Sequence, residues 1–285
     1  MTFAFALVRA LHFASLMTVF GASALLFQAR SIGLDGTRFH RPLFFASLTA
    51  LATAVLCLVF VAQEMTGESM VSLALLANVV AHSLYGTIFL WRFFLLLILC
   101  VICAAKGLHL PKALLGGGAL ALLSLTSHAA AGGTDGFHAR AAVDALHLLA
   151  AAFWFGGLAV LVPEVLAKPR NMPRLILLLR LFSRWGALSV AILIAAGALN
   201  AVFILNVPGM RWSGTYVTLL AIKIVLAALM VALALTNRFG VLPGLAHGEA
   251  EAAETIPLTV VAELGAALLI LSIVGFLGLT APMEM

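Results

Sequence analysis

Charge is scarce in this chain: 9% of its 285 residues are Asp, Glu, Lys or Arg, against roughly a quarter in soluble domains. With a mean hydropathy of +1.18 it lies far outside the range of soluble domains, which points to a polytopic membrane protein. Its apolar runs lack the polar-apolar alternation of a membrane β-barrel. No Walker A motif or phosphorylatable Asp motif of a pump is present, so ATP coupling within this chain is not expected. Cysteine is scarce as well. Cys57, Cys100 and Cys103 all fall inside apolar runs, and no disulfide framework follows. Cys100 and Cys103 share a helix face and could form a soft-metal pair, but packing as small hydrophobes accounts for them better.

What is present is a series of runs long enough for a bilayer core of about 30 Å, which takes roughly 20 helical residues. They lie at about 5 to 28, 43 to 63, 84 to 104, 111 to 131, 143 to 166, 183 to 205, 214 to 236 and 257 to 280. The expected fold is therefore an all-α integral membrane protein with eight transmembrane helices. No basic segment precedes the first run, which is expected to be a retained helix and not a signal peptide. Lys and Arg set the orientation. Eleven of them, including Arg30, Arg38, Arg41, Lys106, Lys112, Lys168, Arg170 and Arg238, follow the odd-numbered runs, whereas Arg140 and Arg211 lie on the opposite face and Arg9 in the first turns. Both termini are expected to face outward. The net charge of +5 then reflects cytoplasmic anchoring in lipid, and no nucleic-acid partner is expected.

The chain also looks duplicated. Ala10-Leu-His12 and Ala145-Leu-His147 are each followed by Phe-Gly nine residues after the histidine, and seven of 18 aligned positions are identical. Tyr85 and Tyr216 each precede a cation by seven residues, Arg92 and Lys223. Each unit holds an even number of helices, which makes this a parallel repeat. Residues 1–131 form the first four-helix repeat, 132–142 an outward histidine-containing loop and 143–285 the second repeat. Between Glu64 and Leu84 lies a stretch whose second half reads as an interfacial helix or an extension of the third run. Residues 237–256 read as a solvated connection.

Four histidines, His12, His128, His138 and His147, gather near the outer face, and imidazole suits copper, zinc, iron and nickel. Asp144 stands one turn from His147 and is placed to orient it. At 100° per residue Trp154 shares the face of His147, while Gly156 falls on the opposite side, where a second helix can approach. Met65, Met70, Met210, Met283 and Met285 also fall outward, and thioethers favour Cu(I). Arg92 and Lys223 lie about 12 to 13 Å deep, where charge is costly. Glu263 is the acid at comparable depth and is expected to pair with one of them.

Asp144-Ala-Leu-His147, Trp154-Phe-Gly156-Gly157, His128-Ala129, the Tyr216 to Lys223 segment and Glu263 followed by Pro282 together resemble the copper resistance protein D family of bacterial inner-membrane proteins. The resemblance covers most of the chain and is strongest from about 124 to 282. It implies a multi-pass protein of the inner membrane with periplasmic termini that handles copper and moves it inward, with His128 and His147 the positions that best match a family copper site. His12 and His138 are expected to be accessory to them. Ser127 stands where the family often has glycine, and no fused periplasmic copper-binding domain is evident. A copper donor would then be a separate periplasmic protein. Two alternatives stay open: a haem b oxidoreductase ligated from among His12, His82, His128 and His147 with cations holding propionates, and a membrane partner of a periplasmic copper protein that moves no metal.

Overall fold

A computed structural model describes residues 2–34, 36–68, 70–126, 137–205 and 214–280. Every regular element among them is helical. The helices are α1 (Thr2–Ala29), α2 (His40–Thr66), α3 (Leu73–His82), α4 (Leu84–Ala104), α5 (His109–Ser124), α6 (Phe137–Leu166), α7 (Met172–Leu205), α8 (Gly214–Thr236), α9 (Leu242–His247) and α10 (Ala250–Leu277). Seven of these are long and apolar enough to cross a membrane. The fourth predicted run is represented by α5, which has 16 residues. Its expected continuation, with His128, lies outside the described residues.

Glycine placement explains which helices sit at the centre. α1 and α6 cross where Gly21 meets Ala152 and Gly156 meets Gly21 and Ala22; a methyl group on Gly156 would stand 2.6 Å from the Gly21 Cα and 2.5 Å from the Ala22 nitrogen. Backbones can come this close only without side chains between them, and the lost area in lipid is replaced by direct packing. Leu16, Val19, Leu25, Leu158 and Leu161 are buried around the crossing. The other long helices surround this pair: α2, α5 and α10 pack on α1, and α5, α7 and α10 on α6. Their outer faces remain apolar, with Phe45, Trp91, Phe94, Val101, Ile224 and Val225 exposed. Such a surface is stable against lipid and not against water.

Of the two readings left open for the stretch before the third run, the structure has a separate helix, α3, because Ser72 caps its first turn and Ser83, in extended geometry, ends it and caps α4. Other boundaries differ from the sequence expectations. α6 begins at Phe137, so the second part of the expected loop 132–142 is helical and His138 sits in the first turn of a helix. Residues 237–256 are not a plain solvated connection. Asn237–Val241 form a π-helical turn, α9 follows, and Val241, Leu245 and Ala252 are buried, since this apolar series has the core to pack against. Lys112, expected in a cytoplasmic loop, is fully buried in the first turn of α5, where its Nζ donates to the Ala105 carbonyl at 2.8 Å and satisfies the end of α4. Cys100 and Cys103 are buried free thiols.

Candidate functional site: two histidine and cation pairs and a buried carboxyl

The first histidine is enclosed. His12 on α1 reaches α2, where its Nδ1 meets the Ala50 carbonyl at 3.1 Å and Thr53 Oγ1 at 2.9 Å. From α4, Arg92 Nη2 approaches Nε2 at 2.5 Å. A guanidinium only donates, so Nε2 accepts, the proton stands on Nδ1, and the ring is the neutral Nδ1–H tautomer. Thr53 is itself anchored by donating to the Thr49 carbonyl at 2.6 Å. Both His12 and Arg92 are buried. Tyr85, Cys57 and Arg9 lie within electrostatic reach of Arg92. Both ring nitrogens of His12 are thereby engaged.

The second histidine has the same kind of anchor and a different free end. His147 on α6 donates from Nδ1 to the Leu193 carbonyl of α7 at 3.2 Å. Gly197, one turn further along α7, makes room for the ring: a methyl group there would stand 3.3 Å from His147 Cε1. Asn200, on the same face, donates from Nδ2 to Asp144 Oδ1 at 3.3 Å. Leu193, Gly197 and Asn200 thus form one helical stripe that receives the Asp144 and His147 stripe of α6. Lys223 on α8 is within electrostatic reach of both Asp144 and His147. Among the described residues no group hydrogen-bonds to Nε2 of His147. A histidine held through Nδ1–H by a carbonyl, with Nε2 open, is the usual posture of an imidazole ligand.

The third polar group lies deeper along α6. Trp154 Nε1 donates to Glu263 Oε2 of α10 at 3.1 Å, and Asn237 Nδ2 of the π-helical turn donates to Oε1 at 2.7 Å. Thr259 Oγ1 donates to Asn237 Oδ1 at 2.6 Å and fixes the amide. Glu263 is buried. It therefore pairs with neutral donors and not, as expected from its depth, with Arg92 or Lys223; Arg92 instead bonds His12, and Lys223 lies within electrostatic reach of Asp144 and His147. Beside Glu263 is a cavity of about 200 Å3 lined by Trp154, Phe182, Ser183, Arg238 and apolar groups of α7, α8 and α10.

The four predicted metal ligands are not brought to one point among the described residues. His128 lies outside them. His138 precedes His147 by nine residues, which puts it on the opposite side of α6 and about 13 Å along the axis, and it is exposed. His12 and His147 face different helices. No group of three or more His, Cys, Asp or Glu among the described residues is placed to share a metal ion. His82, a potential haem ligand, is exposed at the end of α3, with Nδ1 on the Asn78 carbonyl at 3.1 Å. Sequence reasoning missed Thr53, Gly197, Asn200 and Asn237. Asn200 carried a usable signal, since an amide inside an apolar run needs a partner in lipid; the others gain meaning only from what faces them.

Comparison with known proteins finds sequence likeness over most of the length. Residues 1–138 match the family model described as the copper resistance protein D-like N-terminal domain, and residues 176–277 match that of copper resistance protein D. Copper resistance protein D of Pseudomonas syringae pv. tomato is 35% identical over 264 residues, covering 85% of this chain and 84% of that protein. Inner membrane protein YebZ of Escherichia coli strain K12 is 32% identical over 262 residues, covering 89% of each. No solved structure matches the chain. Helices, buried polar groups and sequence likeness along most of the length converge, and the chain belongs to the copper resistance protein D family.

Proposed function

We propose that this protein handles copper in the bacterial inner membrane, taking the ion at the outer face through His147 together with His128 and passing it inward through the second half of the bundle. The observation that carries the proposal is the posture of His147: Nδ1 tied to the Leu193 carbonyl at 3.2 Å, Nε2 without a partner among the described residues, and Asp144 held beside it by Asn200. Names of relatives supply the metal, since one is a copper resistance protein and another an inner membrane protein. His138, exposed at the start of α6, is an outer capture group. His12 is an accessory residue whose lone pair is taken by Arg92, so it acts by holding that cation. A separate periplasmic copper-binding protein would deliver the ion.

The proposed topology has eight spans, α5 and the residues after it supplying the fourth, in two parallel four-helix repeats with both termini periplasmic. It is supported by the matching surroundings of His12 and His147, each bonded through Nδ1 to a carbonyl of the next long helix and each facing a cation two long helices on. It is supported also by the cations near one end of the bundle: Arg38 pairs with Glu164, Arg170 donates to the Ala253 carbonyl and Arg238 to that of Ser183. Lys223 would repel a passing cation, but Asp144 lies within reach to offset it. The haem alternative fares less well, because an iron on His12 would first have to displace Arg92.

The test is metal analysis of detergent-purified protein exposed to copper, with a visible spectrum of the same sample. We expect bound copper that is lost in His147→Ala and retained in His12→Gln, and no Soret band. Copper unchanged by His147→Ala, with cellular copper sensitivity also unchanged, would leave the role of a non-transporting membrane partner. A Soret band that shifts on reduction would put the haem protein in its place.

A further inference from the structure

Glu263 is used by neither histidine site, yet it is buried inside the apolar span of α10. Its carboxyl is gripped on both oxygens, by Trp154 at 3.1 Å and Asn237 at 2.7 Å, and both grips are neutral. Among the described residues Arg238 is the one charged side chain that lines the cavity with it, and its Nη1 is turned to the Ser183 carbonyl at 2.7 Å. α6 offers Trp154, α7 offers Ser183, and α8 and α9 offer apolar groups. A carboxylate buried in a membrane without a cation beside it is unstable and acquires a positive partner. Each oxygen keeps a second lone pair for one.

The space beside it favours a proton over a metal. The cavity, about 200 Å3, runs from Val190 and Val231 past Glu263 to Arg238, Leu242 and Ile256. It has room for several waters. Among the described residues no thiol, thioether or imidazole lines it, so these offer a soft ion nothing but the carboxyl. The π-helical turn that supplies Asn237 is an irregularity of the kind that recurs at functional positions in helices.

We infer that Glu263 and this cavity form a proton-exchange site that opens toward the Arg238 end of the second half. The carboxylate takes one proton from a hydronium in the cavity, leaving water, and returns it the same way; no other bond is made or broken. Protonation removes the charge that Trp154 and Asn237 stabilise, so the hydrogen bond to Trp154 weakens and the indole reports the event. The inference does not depend on the cargo.

Infrared difference spectra of the purified full-length protein, recorded across pH in water and deuterium oxide without copper, test it. The expected result is a protonated-carboxyl band that appears on acidification, shifts in deuterium oxide and is absent from Glu263→Gln, accompanied by a pH-dependent change in tryptophan emission that Trp154→Phe removes. Gln keeps the size of the side chain and an oxygen that accepts from one of the two donors, and Glu263→Asp, which keeps a carboxyl, should keep a shifted band. A spectrum in which Glu263→Gln leaves every carboxyl band in place would overturn the inference, as would one in which the Glu263 band does not respond to pH.

Discussion

Replacing Gly156 by Ala adds one methyl group at the centre of the molecule. Its carbon would stand 2.5 Å from the Ala22 nitrogen and 2.6 Å from the Gly21 Cα, whereas carbon atoms settle at about 3.5 to 4.0 Å. The obstacles are backbone, so no rotamer relieves them, and α1 and α6 must part by about 1 Å. A gap of 0.5 to 1 Å forfeits roughly a quarter to a half of each dispersion contact it opens, and the crossing is ringed by Leu16, Val19, Leu25, Leu158 and Leu161. Overpacking of this kind costs about 1 to 3 kcal/mol, and the upper part of that range applies here. Two controls give the scale. Gly157→Ala meets the Phe182 ring, which can turn, and should cost less. Gly265→Ala meets nothing within 4 Å and should gain up to about 1 kcal/mol from helix propensity. Thermal unfolding in one detergent should rank the variants Gly265→Ala, wild type, Gly157→Ala, Gly156→Ala. At about 2 to 4 °C per kcal/mol for chains of this order, the outer two should differ by roughly 6 °C or more. If Gly156→Ala proved as stable as Gly265→Ala, α1 and α6 could not cross as described.

Asn200→Leu releases Asp144 from its amide donor beside the proposed copper ligand His147, and loss of such support around a metal ligand typically costs 10- to 100-fold in affinity; on that proposal, competition titration with a copper chelator should show a drop of at least that lower figure. Trp154→Phe leaves Glu263 with one donor of two, a penalty of about 1 to 3 kcal/mol, and the same change in a Glu263→Gln background should cost clearly less, as thermal unfolding of the four proteins will show. Arg38→Ala removes an ion pair with Glu164 whose arginine side chain is 46% exposed, so its effect on the melting temperature should correspond to no more than about 1 kcal/mol.

Much of the architecture was written in short-range pattern. Apolar run lengths located the helices, and those at 84 to 104 and 214 to 236 coincide with α4 and α8. Periodicity placed Gly156 away from His147, and the two glycines that follow the histidines by nine residues are those that meet at the central crossing. The breaks were harder to see. Ser83 ends one helix and caps the next within a continuous apolar stretch, and hydropathy does not register a cap. The partners of buried charge were harder still, because depth says only which residues share a level of the membrane.

By itself the sequence determined a membrane-embedded helical chain, since too few charges are available to face water and every backbone group in lipid must be satisfied within a helix. It also determined the histidines worth weighing and the glycines that permit close packing. Tertiary structure decided what each polar group does. Arg92 fills the lone pair of His12, whereas among the described residues nothing bonds to that of His147, and Glu263 takes an indole and an amide in preference to either cation. The physical reason is directional: a hydrogen bond in lipid forms only with the group that a neighbouring helix presents at the right angle and height, and that depends on how helices distant in the chain are packed.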